Sequence, residues 1–321
     1  MVTAAGEHDA DGPLVVDVAV IGAGPAGLSA ALNLVRARRT VLLVDANRPR
    51  NAATLRSHGF LTRDGISPLE LRKLGREEVE AYPEATVVQS VVDRVARDGD
   101  GWAVHGTHRG AEFHARARAV VVATGLREEF PALPSLRAFY GTSVHSCVEC
   151  DGYEHGGASL AFLCETADVV DRALLVASWT DDLVVYTNGT ATLDERGRAR
   201  LAAAGVLVDE RPVADLEGDR TGLTGVRLAD GDVRAHTGAF VRPLWHADLD
   251  WIDAPLDRDA DGLVRVDRLG RTGVPGLYAV GDVTPPGPEQ LVVAAGHGAS
   301  TAAAVHRDLV GGLEDLRDAV Q

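Results

Sequence analysis

Apolar residues fall along this chain in short dense runs separated by polar, glycine-bearing turns, and the runs predict buried strands. Leu14 to Ile21 is apolar but for one Asp, which suits a strand buried on both faces of a parallel sheet. Gly22 to Gly27 comes next, then an Ala/Leu-rich helix to about Arg38, then a second apolar strand, Val41 to Val44, ending at Asp45. Asn51 to Gly65 is a polar loop, and Ser67 or Pro68 opens a helix through Glu80. Thr86 to Val92, Trp102 to Gly106 and Glu112 to Ala117 read as strands of a small meander, with Asp98-Gly99-Asp100-Gly101 as a hairpin turn. Ala119 to Ala123 is another buried strand, ending in Thr124-Gly125, and Arg127 to Pro134 reads as a crossover.

The pattern then repeats its opening. Ala158 to Leu163 is a strand, about Ala167 to Ser178 a helix, and Leu183 to Tyr186 a strand. A second meander, Gly225 to His236, turns at Asp230-Gly231, and Phe240 to Pro243 reads as the crossover back. Last come an apolar strand running into Gly281-Asp282, a Pro/Gly loop, and an Ala-rich helix containing Gly296-His297-Gly298. These elements predict an α/β chain with two Rossmann-like units.

Bulk properties narrow the partners. The 321 residues suffice for two domains, and 45% hydrophobic with 25% charged content is ordinary for a globular protein. A net charge of −15 and a pI near 5.1 weigh against nucleic acid and anionic membranes. No apolar run is long enough to span a bilayer. Met1 to Gly12 is short, polar and acidic, without the basic and apolar parts of a signal peptide, so a cytoplasmic N-terminus is expected.

Two stretches carry chemistry. The first is the strand, glycine turn, helix and strand at the start, with Asp45 about twenty residues beyond the turn, which is the context of a dinucleotide site. Gly22 allows the tight turn, Gly24 has no Cβ to keep a pyrophosphate from the backbone, and Gly27 lets helix and strand pack closely. The helix N-terminus offers N–H groups to phosphates, and Asp45 can accept from a ribose. The second is His145-Ser146-Cys147-Val148-Glu149-Cys150-Asp151-Gly152. Cys-x-x-Cys can close a disulfide and lower one thiol pKa, which makes that thiol a nucleophile near neutral pH. Only Cys164 remains, so four cysteines cannot bind zinc, and no histidines stand beyond the pair at finger spacing; no metal is expected. His145 is a second acid/base candidate or a packing histidine. His297 stands the same way, Cys164 reads as a buried structural thiol, and Glu149 as solvent-facing.

The chain resembles the low-molecular-weight thioredoxin reductase family of flavoproteins over nearly its whole length. Gly22 to Gly27 matches the family's FAD pyrophosphate turn, and Ala123-Thr124-Gly125 its linking strand motif. Cys147-Val148-Glu149-Cys150-Asp151-Gly152 matches its redox motif, and Gly281-Asp282 its second FAD motif. The resemblance implies an FAD-binding domain at 13–122 and 244–321, split by an inserted Rossmann-like domain at 123–243 that carries the cysteines. It implies FAD contacts from Gly22, Gly24, Pro25, Ala26, Gly27 and Asp45, from Ala123, Thr124 and Gly125, and from Gly281, Asp282, Gln290 and Leu291. It implies Asp151 as acid/base, Cys147 as the outer sulfur, Cys150 as the one nearer the flavin, and a homodimer.

The departures from the family direct the functional reading. Its second strand–helix turn is glycine-rich and binds NADPH, and an arginine cluster comes after it for the 2′-phosphate. Here those places read Cys164-Glu165-Thr166 and Thr187-Asn188-Gly189. Losing two charge-assisted phosphate bonds costs about 3–6 kcal/mol, on the order of 10² to 10⁴ in affinity. The inserted domain thus reads as a degenerate NAD(P)H-type domain. This pattern is similar to that of FAD-dependent dithiol oxidases that close disulfides in gliotoxin-, holomycin- and romidepsin-type natural products. That resemblance implies electron flow from a small-molecule dithiol to the enzyme disulfide, to FAD, and to O2 with release of peroxide. The rival is a thioredoxin-type reductase using NADPH or ferredoxin. A flavin-binding sensor is a rival of another class, and the intact cysteine pair argues against it. The loop at 51–65, Trp245 and Trp251 are candidates for a substrate groove, with core packing the plain alternative for the tryptophans.

Overall fold

The computed structural model describes residues 13–108 and 110–311. Met1 to Gly12 and the last ten residues of the expected first domain lie outside them. The chain divides into two compact units. One holds residues up to Arg50, Gly59–Arg127 and those from His246 onward; the other holds Asn51–His58 and Glu128–Trp245. The expected division at 122–123 and 243–244 stands beside 127–128 and 245–246 here. Asn51–His58 joins the second unit because Gly141, at φ +84°, leaves its Cβ position to the carbonyl of Ala53. His58 Nε2 also lies 3.5 Å from Glu154 Oε1.

In chain order the first unit supplies β1 (Leu14–Ile21), α1 (Pro25–Arg36), β2 (Val41–Asp45), α2 (Pro68–Glu80), β3 (Ala85–Gln89), β4 (Val91–Asp98), β5 (Gly101–His108) and β6 (Ala111–Val122). The connecting strand β7 (Arg127–Glu129) leads to α3 (Leu136–Phe139), β8 (Val144–His145), α4 (Val148–Asp151), β9 (Leu160–Leu163), α5 (Val169–Val176) and β10 (Leu183–Tyr186). Then come α6 (Glu195–Ala203), β11 (Leu207–Asp209), β12 (Val213–Asp219), β13 (Gly222–Leu228), β14 (Val233–Ala235), β15 (Gly238–Val241) and the returning strand β16 (Leu244–His246). The first unit closes with β17 (Ile252–Asp253), β18 (Leu277–Ala279) and α7 (Leu291–Val310).

The first unit's sheet runs β17-β4-β5-β6-β1-β2-β3, with β18 also on β6. β6 is one strand of 12 residues, not the two that Glu112–Ala117 and Ala119–Ala123 suggest. It alternates as far as Arg118, where it pairs antiparallel with β5 in the meander, and its last four residues, Ala119 to Val122, are all buried beside β1 and β18. Conversely, the expected strand Thr86–Val92 breaks at Ser90, whose N–H donates to the Asp45 carbonyl and whose hydroxyl donates to the Thr107 carbonyl. Before the break, β3 extends the parallel sheet on β2; after it, β4 belongs to the meander. On one face α1 and α7 cover β1 and β6. They approach backbone to backbone, since a Cβ on Gly298 would stand 2.1 Å from the Ala26 carbonyl oxygen.

The second unit's sheet, β11-β10-β9-β15-β8, is parallel throughout. Strand alternation sorts its core: Leu160, Phe162 and Val185 face α5 and α6, while Ala161, Leu163 and Val184 face the three-stranded sheet β12-β13-β14. β15, expected only as part of a crossover, is a wholly buried strand of this sheet, which its run of Gly-Ala-Phe-Val fits.

Under this sheet Tyr186 Oη and His236 Nε2 are 2.8 Å apart, and His236 is 1% exposed. Burial, helped by the charge of Arg234, pushes the His236 pKa down to about 4. Unfolded His236 takes a proton near pH 6.5, so between about 4 and 6.5 the unfolded chain binds more protons than the folded one. Stability therefore falls as pH drops through that window, by up to about 3 kcal/mol from this group. Urea titrations across the window are expected to show the slope, and His236→Gln to flatten it. An unchanged slope in the variant would remove His236 from the account.

Candidate active site

β8 ends at His145, and Ser146 and Cys147 lead into the single helical turn α4. Residues three apart on such a turn share a face, and Cys147 and Cys150 are joined there as a disulfide, with Cα atoms 5.2 Å apart. The turn closes on the Cys147 carbonyl, which accepts from the N–H of Cys150 and of Asp151. Asp151 is thereby aimed at His145: Oδ1 and Nδ1 lie 3.2 Å apart, an ion-pair contact whose angles fall short of a hydrogen bond. His145 Nε2 is 3.2 Å from the Thr142 carbonyl, which can only accept, so Nε2 carries a hydrogen. A further proton, on Nδ1 or on Asp151, is what makes the contact between them attractive. The buried His145 and the half-buried Asp151 thus leave a place for one proton between them, beside the disulfide.

Two groups near the disulfide escaped sequence reasoning. The chain after α4 folds back through turns at Gly152 and Gly157 and sets the ring of His155 5.0 Å from that of His145. Burial and the neighbouring His145 push the His155 pKa down, while Asp151 and Glu154 oppose them. The second group is a hydroxyl network around Glu128: Tyr140 Oη donates to Glu128 Oε1 at 2.8 Å, and Ser146 Oγ, 2.8 Å from Tyr140 Oη and 3.3 Å from Glu128 Oε1, gives its single hydrogen to one of the two. Its adjacency to Cys147 was legible only through Ser146. Glu149 is exposed, as expected, and Cys164 is fully buried with its thiol pKa pushed up by that burial.

The first unit provides the cradle expected for a dinucleotide. Gly22 sits at φ +108°, where a Cβ would be 2.4 Å from the Ala123 carbonyl oxygen. A Cβ on Gly27 would be 1.8 Å from the Gly22 carbonyl oxygen and 3.2 Å from the Ala123 Cβ. The Cβ direction of Gly24 is open, with nothing within 4 Å, so the backbone ahead of Pro25 and Ala26 can be approached. Thr124 is exposed beyond Ala123, and Gly125 turns the chain at φ +66°. Gly281 leans on this helix start, a Cβ there falling 2.8 Å from the Ala26 Cβ. Beside it, burial pushes the Asp282 carboxyl up while Arg50 opposes, donating to Oδ2 at 2.7 Å. Gln290 caps α7, Leu291 begins it, and His297 accepts the Gly281 N–H on Nδ1 at 3.2 Å. Burial pushes the His297 pKa down. These residues fit a bound pyrophosphate.

Asp45 is more engaged than its sequence context implies. Oδ1 accepts the Asn47 N–H, and Oδ2 accepts from both Arg72 and Arg76, so one lone-pair direction is left for a ribose. The two arginines lie four apart on α2, a spacing that puts them on one face.

The glycine-free turn after β9 is filled by its own side chains. Thr166 donates to Asp168, and Asp168 Oδ2 also accepts from Arg172 and Arg242 at 3.3 and 3.1 Å. Burial raises the Asp168 pKa, but Thr166 and the two arginines outweigh it and hold the carboxyl below its ordinary value. Glu165 accepts from the amide of Asn188, which in turn accepts the Val213 N–H. Trp245 and Trp251, expected near a groove, fall in different units, and Trp251 joins the core of the first. Among the described residues no cluster could hold a metal ion.

The pyridine nucleotide-disulphide oxidoreductase family matches residues 16–176 and 182–298. A probable thioredoxin reductase of Arthroderma benhamiae is 27% identical over 91% of this chain and 80% of its own. Thioredoxin reductase tcpT of Claviceps purpurea is 28% identical over 84% of this chain and 86% of its own. Among solved structures, HlmI superposes with a TM-score of 0.86 and 39% identity, covering 97% of this chain and 96% of HlmI. A putative thioredoxin reductase, TrxB, from Bacillus anthracis gives 0.84 and 34% over 94% and 99%.

Proposed function

This chain belongs to the pyridine nucleotide-disulphide oxidoreductase family as a thioredoxin reductase-like FAD enzyme, and from that premise we propose that it oxidises a small-molecule dithiol to a disulfide, with O2 as final acceptor. The observation that carries the proposal is the filled turn after β9. Glu165 and Asp168 place two carboxylates where a nucleotide phosphate would lie, and the cations nearby, Arg172 and Arg242, already serve Asp168.

In the proposed cycle a substrate thiolate attacks Cys147 and the Cys147–Cys150 bond breaks. The second substrate thiolate then attacks its own bridged sulfur and releases Cys147. Each attack needs a thiol proton removed first, and His145 with Asp151 is placed to take one. Bound FAD supplies the acceptor for the electron pair that this exchange leaves on the cysteines. Gly22, Gly24, Gly27 and Ala123 would hold its pyrophosphate, with Asp282 and Gln290 across the cradle. The reductase alternative draws support from the relatives named thioredoxin reductase. Anaerobic mixing of the FAD-loaded protein with a dithiol, and separately with NADPH, decides between them by which one reduces the flavin.

The assembly we propose is a homodimer. Light scattering is expected to give twice the 33.8 kDa of one chain; the single mass across micromolar concentrations would overturn it.

No helix among the described residues is long and apolar enough to cross a membrane.

A further inference from the structure

We infer that His155 relays protons between the His145–Asp151 pair and solvent during thiol–disulfide exchange at Cys147–Cys150. The inference takes its direction from the dithiol-oxidising reading. In one exchange cycle the substrate's two S–H groups lose their protons and its sulfurs join. The electron pair passes to Cys147 and Cys150, whose own S–S bond breaks. Two protons therefore leave the substrate sulfurs. The His145–Asp151 contact stores one, so the first has to move on before the second arrives.

His145 is 7% exposed, with its Nε2 on the Thr142 carbonyl and its Nδ1 facing Asp151. His155 is half-buried, with its ring 5.0 Å from the His145 ring, within reach of one bridging water. Phe240 flanks both rings, at 6.1 Å from His145 and 6.0 Å from His155. Gly238 makes the seat, since a Cβ there would stand 2.8 Å from His155 Nδ1. The charged groups around His155 are His145 from β8, Asp151 from α4 and Glu154 on its own loop, the last facing His58 at 3.5 Å. β15 offers only Phe240 and Gly238. Two imidazolium rings this close repel, so a proton on His145 disfavours one on His155 and the pair passes a single proton outward. The lowered pKa of His155 agrees with that coupling.

The test uses His155→Phe, His155→Gln and Gly238→Ala in the full FAD-loaded chain. Each is mixed anaerobically with dithiothreitol, quenched with an alkylating agent, and weighed to track reduction of Cys147–Cys150. At neutral pH all three are expected to slow exchange, the two His155 variants by about ten- to a hundredfold. The loss fades above about pH 9, past the ordinary thiol pKa of ~8.5, where dithiothreitol supplies thiolate without help. Added imidazole restores the His155 variants. A loss equal at every pH and untouched by imidazole would mark a structural role and overturn the inference, as would exchange at the wild-type rate. Dithiothreitol reduces this disulfide whichever way electrons flow in turnover, so the outcome stands even if the oxidase reading fails. That reading fails on the flavin's response to NADPH.

Discussion

Submillimolar NADPH is expected to leave the flavin oxidised over seconds, while dithiothreitol bleaches it and, once air is admitted, drives oxygen uptake with peroxide release and no nicotinamide present. A nicotinamide dinucleotide needs backbone N–H groups at a bare turn and cations for its phosphates. The turn after β9 offers Glu165 and Asp168 instead, one held by Asn188 and the other by Arg172 and Arg242. A phosphate would have to displace Asp168 from two guanidinium partners before gaining either. The loss of about 3–6 kcal/mol is on the order of 10² to 10⁴ in affinity, which carries a KM of roughly 10 μM or more to millimolar concentrations and beyond. The dithiol route asks for none of this, because its attacking group brings its own sulfur to Cys147. Stopped-flow reduction by NADPH within a second would restore the reductase.

Cys147→Ser and Cys150→Ser are each expected to lower turnover by on the order of 10³-fold or more, since neither single sulfur can accept an electron pair and return to a disulfide. The two variants should part in what they trap. Cys150→Ser keeps the sulfur proposed to meet substrate, and an activated thiol should leave a lasting adduct of defined mass on Cys147. Cys147→Ser should give no such adduct, and is expected to differ further by a long-wavelength absorbance from the remaining thiolate of Cys150, the sulfur proposed to pass electrons to the flavin. Cys164 cannot stand in for either, being fully buried with a thiol pKa pushed up by desolvation. Full activity in either variant would take the pair out of the mechanism.

Features set by close spacing in the chain were legible in the sequence. Gly22 and Gly27 announce themselves because a turn and a helix contact must be made within six residues, and Cys147 and Cys150 because one helical turn brings them together. The second strand–helix–strand unit and its glycine-free turn were equally plain. Features set by distant partners were hidden. His155 reaches His145 through a seat made by Gly238 and Phe240, far along the chain, and nothing local marks it. Arg242 likewise reaches Asp168 from the end of β15. Strand limits failed where two patterns meet: β6 changes from alternating to continuous burial without ending, and Ser90 ends β3 by a hydrogen bond to Asp45 that no run of residues foretells.

The partners of Asp168 also bear on how the second unit is held together. Guanidinium groups aimed at an absent phosphate gain their stabilisation from a solute, so a nucleotide-binding turn tightens or loosens by mass action as that solute is supplied or withdrawn. Here the anion is part of the chain. Its effective concentration at Arg172 and Arg242 is fixed by the fold. On the proposed reading, the order of this turn is therefore expected not to track the concentration of any nucleotide.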